Sequence, residues 1–60
     1  MTYCVTYESR NPKGDTFVVN YTLLAASARE ARDIFKRENA AGALDYPCVR
    51  IRKITCIENQ

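Results

Sequence analysis

The four residues Ser27-Ala28-Arg29-Glu30 constrain this chain most, because they divide it into stretches of different period. Serine followed three positions later by glutamate is a capping box. The serine hydroxyl satisfies one free N–H at a helix start, and the glutamate reaches back to another. Before this point apolar and polar residues alternate with a period of two. After one helix length the alternation returns. The pattern predicts strand, strand, helix, strand.

The first run is Thr2 to Glu8, with Tyr3, Val5 and Tyr7 on one face and Thr2, Cys4, Thr6 and Glu8 on the other. β-Branched and aromatic residues in strict alternation mark a strand. Turn formers collect from Ser9 to Asp15, including Pro12 and Gly14. Alternation resumes at Thr16, with Phe17, Val19 and Tyr21 facing one way and Thr16, Val18, Asn20 and Thr22 the other. Two such runs about a short Pro/Gly loop predict a β-hairpin.

The helix is expected from Ala28 to about Asn39. Ala28, Ala31, Ile34 and Phe35 form its apolar stripe, and Arg29, Asp33 and Arg37 are spaced for ion pairs on a solvated side. Ala40 to Pro47 reads as a return loop containing Gly42, with Leu44 and Tyr46 tucked against the core. A third strand is expected over Cys48 to Ile57. There Val49 and Ile51 would join the core face, and Cys48, Arg50 and Arg52 the opposite one. The phase slips at Lys53-Ile54, which predicts a bulge or a strand leaving the covered sheet. Glu58 to Gln60 is expected to be a fraying polar tail.

These elements assemble into one small α+β domain spanning residues 1–60, a β-β-α-β unit with an antiparallel-type sheet of order 2-1-3 and the helix on one face. Nothing in the chain remains to cover the other sheet face, where Cys4, Thr6, Val18, Asn20, Arg50 and Arg52 would lie. Both outer strands would have open edges, which invite strand addition unless charges or bulges block it. Arg50, Arg52 and Lys53 guard the third strand, whereas the second carries no charge from Phe17 to Thr22. Phe17, Val18, Asn20 and Thr22 are therefore the candidate partner edge. Arg50, Arg52 and Lys53 form the alternative, a basic patch for weak, sequence-tolerant nucleic-acid binding.

With 47% apolar and 27% charged residues in 60, the chain is composed like a folded domain near the lower size limit. Its net charge of +2 diagnoses neither nucleic acid nor membrane as a partner. No run approaches a membrane span and the start does not resemble a signal peptide, so the expectation is a cytoplasmic protein. Cys4, Cys48 and Cys56 include no C-x-x-C and there is no histidine, so three reduced thiols and no metal are expected. The carboxylates scatter over loops and the helix exterior, and no phosphate-binding, dinucleotide or calcium motif occurs. The expected function is non-enzymatic binding without a cofactor, with a protein partner or self-association favoured over nucleic acid.

The hairpin, the stretch Ala26-Ser27-Ala28-Arg29-Glu30-Ala31 opening a helix that runs to Phe35, and the final alternating strand together resemble small orphan proteins of phages and prophages. The resemblance implies an accessory protein that binds a host or phage macromolecule, inhibitors of host defence among them. It assigns no binding residue.

Overall fold

The structure is a computed structural model describing residues 1–57. Strands β1 (Thr2–Arg10), β2 (Thr16–Leu24) and β3 (Arg50–Ile57) form an antiparallel sheet in the order β2-β1-β3, and helix α1 (Ala28–Ala40) lies between β2 and β3 in sequence. The expected α+β arrangement and strand order are those observed. The expected polar tail, Glu58 to Gln60, lies outside the described residues.

The hairpin runs further than the alternation suggested at both ends. Ser9, read as a turn residue, is a buried strand residue, 1% exposed, whose hydroxyl donates to the Pro47 carbonyl at 2.7 Å. The turn begins at Asn11. Its carboxamide oxygen accepts from the N–H groups of Lys13 and Asp15, and Gly14 takes a φ of +93°. A carboxamide closing its own turn, with glycine in the left-handed region, is what fixes the strand register here.

Both helix ends are built by local chemistry. Ser27 is extended (φ −154°, ψ 166°) and its Oγ accepts from the Glu30 N–H at 3.2 Å, while Glu30 Oε1 accepts from the Ala26 N–H at 2.7 Å. The carboxylate thus reaches one residue beyond the cap itself. At the other end Gly42 adopts a φ of +74°, its N–H donates to the Asn39 carbonyl, and the Ala43 N–H donates to that of Glu38. This pair of reversed hydrogen bonds is a Schellman motif, satisfying carbonyls that the last turn leaves open.

The helix packs over β1 and β3. Val5, Tyr7, Phe35 and Leu44 form one buried cluster and Tyr3, Ala25 and Ala31 another. The Tyr7 and Phe35 rings meet with centroids 4.9 Å apart. Ala31 and Phe35, one turn apart, are the buried centre of the stripe. Ile34 is half-buried and Ala28, in the first turn, is exposed. The ion pairs expected along the helix do not form. Those within 4.0 Å among the described residues are both on Glu8. Exposed side chains gain too little from such pairing to be held by it.

The entry to β3 departs from the expected phase. Val49, assigned to the core face, is exposed, whereas Cys48, assigned to the opposite face, is half-buried against the core. Long-range hydrogen bonds set this segment. The Tyr7 hydroxyl donates to the Tyr46 carbonyl at 2.7 Å, the Cys48 N–H to Asn39 Oδ1 at 3.0 Å, and the Val49 N–H to the Glu8 carbonyl at 2.8 Å. Tyr46 is half exposed, yet its ring stands edge-on against Phe17 at 5.4 Å, and Leu44 is buried as expected. Further along, Thr6 pairs with Lys53 and Tyr7 with Ile51, so Arg52 is an extra residue on β3. That is the β-bulge, and it returns Ile54 and Cys56 to the core side.

Candidate functional site

The backbone of β2 gives the sheet one regular open edge. In an antiparallel pair, residues that exchange hydrogen bonds alternate with residues whose N–H and C=O point away from the neighbour. The Asn11 N–H donates to the Asp15 carbonyl, and at the far end the Ala25 N–H donates to that of Met1. These two bonds fix the phase, because the register between them is unbroken. It follows that Phe17, Val19, Tyr21 and Leu23 bond to β1. Thr16, Val18, Asn20, Thr22 and Leu24 turn their backbone groups to the free edge. The same five residues place their side chains on the open sheet face, opposite the helix. All five are exposed, Val18 at 50% and Leu24 at 74%.

The structure therefore gathers Val18, Asn20 and Thr22 of the candidate edge on one surface and puts Phe17 on the other face, under Tyr46. Thr16 and Leu24 belong to the edge as well. Leu24 lies past the expected strand end at Thr22, although the uncharged run to it is visible in the sequence, and Thr16 lies inside the expected strand but just before the uncharged stretch taken as the edge. The helix side of β2 is incompletely covered, and Phe17, Val19, Tyr21 and Leu23 are only half-buried. Tyr21 is the tie that holds this side to α1. Its ring lies 5.8 Å from that of Phe35 and its hydroxyl donates to Glu38 Oε1 at 2.6 Å. This hydrogen bond to the carboxylate, and then burial, pushes the Tyr21 phenol above its ordinary pKa. Tyr7 is pushed up by burial first and then by the acidic groups around it.

The outer edge of β3 is built differently. The bulge interrupts its pairing, and Arg50, Arg52 and Lys53 are all exposed. The extra residue also carries Lys53 to the open face, opposite Thr6, beside both arginines. The three cations of the candidate basic patch are thereby brought together. Two of them are engaged, since Glu8 Oε2 lies 3.6 Å from Arg50 and 3.8 Å from Arg52. Among the described residues no aromatic ring lies on this face for a base to stack on, because Tyr3, Tyr7, Phe17 and Tyr21 all lie on the helix side.

Two shallow grooves accompany the edges. One of about 350 Å³ runs between α1 and the start of β3, lined by Arg32, Lys36, Asn39, Cys48 and Arg50. Burial pushes the Cys48 thiol up, which disfavours the nucleophilic thiolate. The other, of about 390 Å³, lies under the hairpin turn between Pro12, Phe17, Tyr46 and Pro47. Among the described residues, no group of three or more metal-ligating side chains comes together, and no helix is long and apolar enough to cross a membrane. No family model, curated protein or solved structure matches the chain.

Proposed function

We propose that the protein is a non-enzymatic binding module that works through the free edge of β2, taking up an extended polypeptide strand by backbone pairing. The observation that carries this reading is the contrast in that edge. Nine consecutive residues contain no charge, proline or bulge, and every second one points its N–H and C=O outward. Edges of this kind are normally blunted because they template strand addition, so one left regular and uncharged is a docking surface by its chemistry. Specificity would come from the side chains flanking the added strand, Val18, Asn20 and Thr22 on the open face and Val19 and Tyr21 beside the helix. Three free thiols suit a reducing compartment such as the cytoplasm. The resemblance to phage and prophage orphan proteins suggests an accessory role for such a module.

Selection of a random nonapeptide library at nanomolar protein tests the reading. Uncharged, β-prone peptides should be enriched, they should shift the amide resonances of Thr16 to Leu24, and Thr22→Pro should lose them. Failure of the monomeric chain to enrich any peptide, or shifts centred elsewhere, would overturn it.

A second reading rests on the bulge, which sets Lys53 beside Arg50 and Arg52 on an exposed face. It takes this patch as a weak, sequence-tolerant nucleic-acid contact whose affinity falls steeply as salt rises. Against it stand the Glu8 carboxylate between the arginines and the lack of a stacking platform. Replacing Arg50 and Arg52 by glutamine should abolish oligonucleotide binding, and retained affinity would dispose of this reading.

A further inference from the structure

We propose that the strand β2 takes up is β2 of a second copy of the chain, paired antiparallel about a two-fold axis at Asn20. This rests on the reading of β2 as the contact edge and names its partner. The edge is self-complementary. Its outward-pointing residues are Thr16, Val18, Asn20, Thr22 and Leu24, placed evenly about Asn20. With the axis there, Asn20 faces the partner's Asn20, Val18 faces the partner's Thr22, and Thr16 faces the partner's Leu24. Every outward N–H and C=O of the strand then meets a reciprocal group, and no other register pairs the full length.

The side chains agree with that register on both faces. On the helix side Val19 falls opposite the partner's Tyr21, and Phe17 opposite the partner's Leu23. These are the aromatic–aliphatic cross-strand pairs that stabilise sheets. No like charges meet, because the strand has none. At the axis, Asn20 Oδ1 accepts from the Thr6 hydroxyl at 2.8 Å. Its amide N–H₂ can donate to the partner's Asn20, and a carboxamide is one of the few side chains that complements itself.

Geometry also says why the assembly stops at two. A two-fold axis normal to the sheet gives the strand order β3-β1-β2-β2-β1-β3, with both helices on one side. The half-buried Phe17, Val19, Tyr21 and Leu23 of each copy then lie together between the helices. Among the described residues the edges left belong to β3, and both carry the bulge and the cations that resist further addition.

Sedimentation of the full chain should give twice the 6.8 kDa chain mass. Thr22→Pro removes an N–H that β1 does not use, so it should halve that mass while leaving the circular dichroism of the fold unchanged. Thr22→Val, which keeps the N–H, should remain dimeric. Asn20→Lys places two cations face to face, and it provides the same test should the proline variant not fold. Register is read separately. In this pairing the two Asn20 Cα atoms lie about 5.5 Å apart, inside the range of about 4.4–6.8 Å that a disulfide spans. Asn20→Cys should therefore cross-link under mild oxidant, whereas the parent chain with its three native thiols and Val18→Cys should not.

A dimer indifferent to Thr22→Pro and Asn20→Lys would overturn the proposal. So would a wild-type chain that stays monomeric at millimolar concentration. If that monomer still binds library peptides through β2, only the second copy is wrong. If it binds none, the edge reading falls with it.

Discussion

The two outer strands of this sheet are similar in length and flank the same central strand, yet one edge is left regular and the other is spoiled. β2 is uncharged, unbroken and half-covered on its helix side. β3 has an extra residue at Arg52, which with Arg50 and Lys53 makes three exposed cations, and it has the helix above it. A small sheet needs both outer strands for its core, but it needs only one of them open to a partner. The difference teaches that the protection of an edge is separable from the packing of its strand. β3 keeps Ile51, Ile54 and Cys56 on the core side while its outer backbone is disrupted.

The largest expected effect comes from removing the cover that distinguishes the two sides. Phe35→Ala should cost about 3–5 kcal/mol in chemical denaturation, enough to unfold much of a marginal domain. Val19→Ala, at a half-buried site on β2, should cost clearly less than Val5→Ala at the fully buried site diagonal to it on β1. Equal costs would mean that the helix covers β2 as well as it covers β1.

Deleting Arg52 breaks the comparison more selectively. Without it the residues from Ile51 to Ile57 alternate without a slip, so the strand should straighten and still bury Ile51, Ile54 and Cys56. The fold should survive, and light scattering should rise with concentration as a second regular edge becomes available. A variant that folds without any gain in association would show that the bulge does not guard the edge.

Tyr21 is the next lever, because its hydroxyl ties β2 to the helix through a side-chain hydrogen bond to Glu38. Tyr21→Phe should cost about 1 kcal/mol. In the parent chain, Tyr7 and Tyr21 have folded-state pKa values raised above the unfolded value near 10. The folded state therefore holds its phenolic protons more tightly, and this stabilisation is complete below about pH 10 and is lost as pH rises through the folded values. Thermal unfolding followed from pH 8 to 12 should show the alkaline decline, and Tyr21→Phe should make it shallower. The smallest effect belongs to Glu8→Gln, which releases Arg50 and Arg52. On an exposed face this should change stability by less than about 1 kcal/mol, while increasing any salt-sensitive attraction to polyanions. A larger loss of stability would make Glu8 a structural anchor of β3.

What could be read in the sequence was what local chemistry decides. The capping box at Ser27 and Glu30, the Pro/Gly turn and the alternation of Tyr3, Val5 and Tyr7 each act within a few residues, and each predicted its element. The slip near Lys53 was visible too, because Ile51, Ile54 and Cys56 cannot share a face without an extra residue between them. The approach to β3 was not legible. Val49 and Cys48 exchange their expected sides because the hydroxyls of Tyr7 and Ser9 hold the carbonyls of Tyr46 and Pro47, across nearly 40 positions of sequence. Ser9 itself looks like any turn serine until that partner is in place. As for the candidate site, the sequence indicated an uncharged edge at β2. The phase of its outward backbone groups came only from the hydrogen bonds at the two ends of the hairpin.

The three free cysteines give the molecule an internal set of reporters. Cys4 sits on the open face of the central strand, Cys56 packs beside Tyr3, Ala25 and Ala31, and Cys48 lies where the return loop is pinned to Asn39. All three are half-buried, so each reacts with a thiol reagent at a rate set by how often its own surroundings part. A single alkylation time course, resolved by residue, would clock the loop, the helix and the bare side of the sheet independently, without a label having to be introduced.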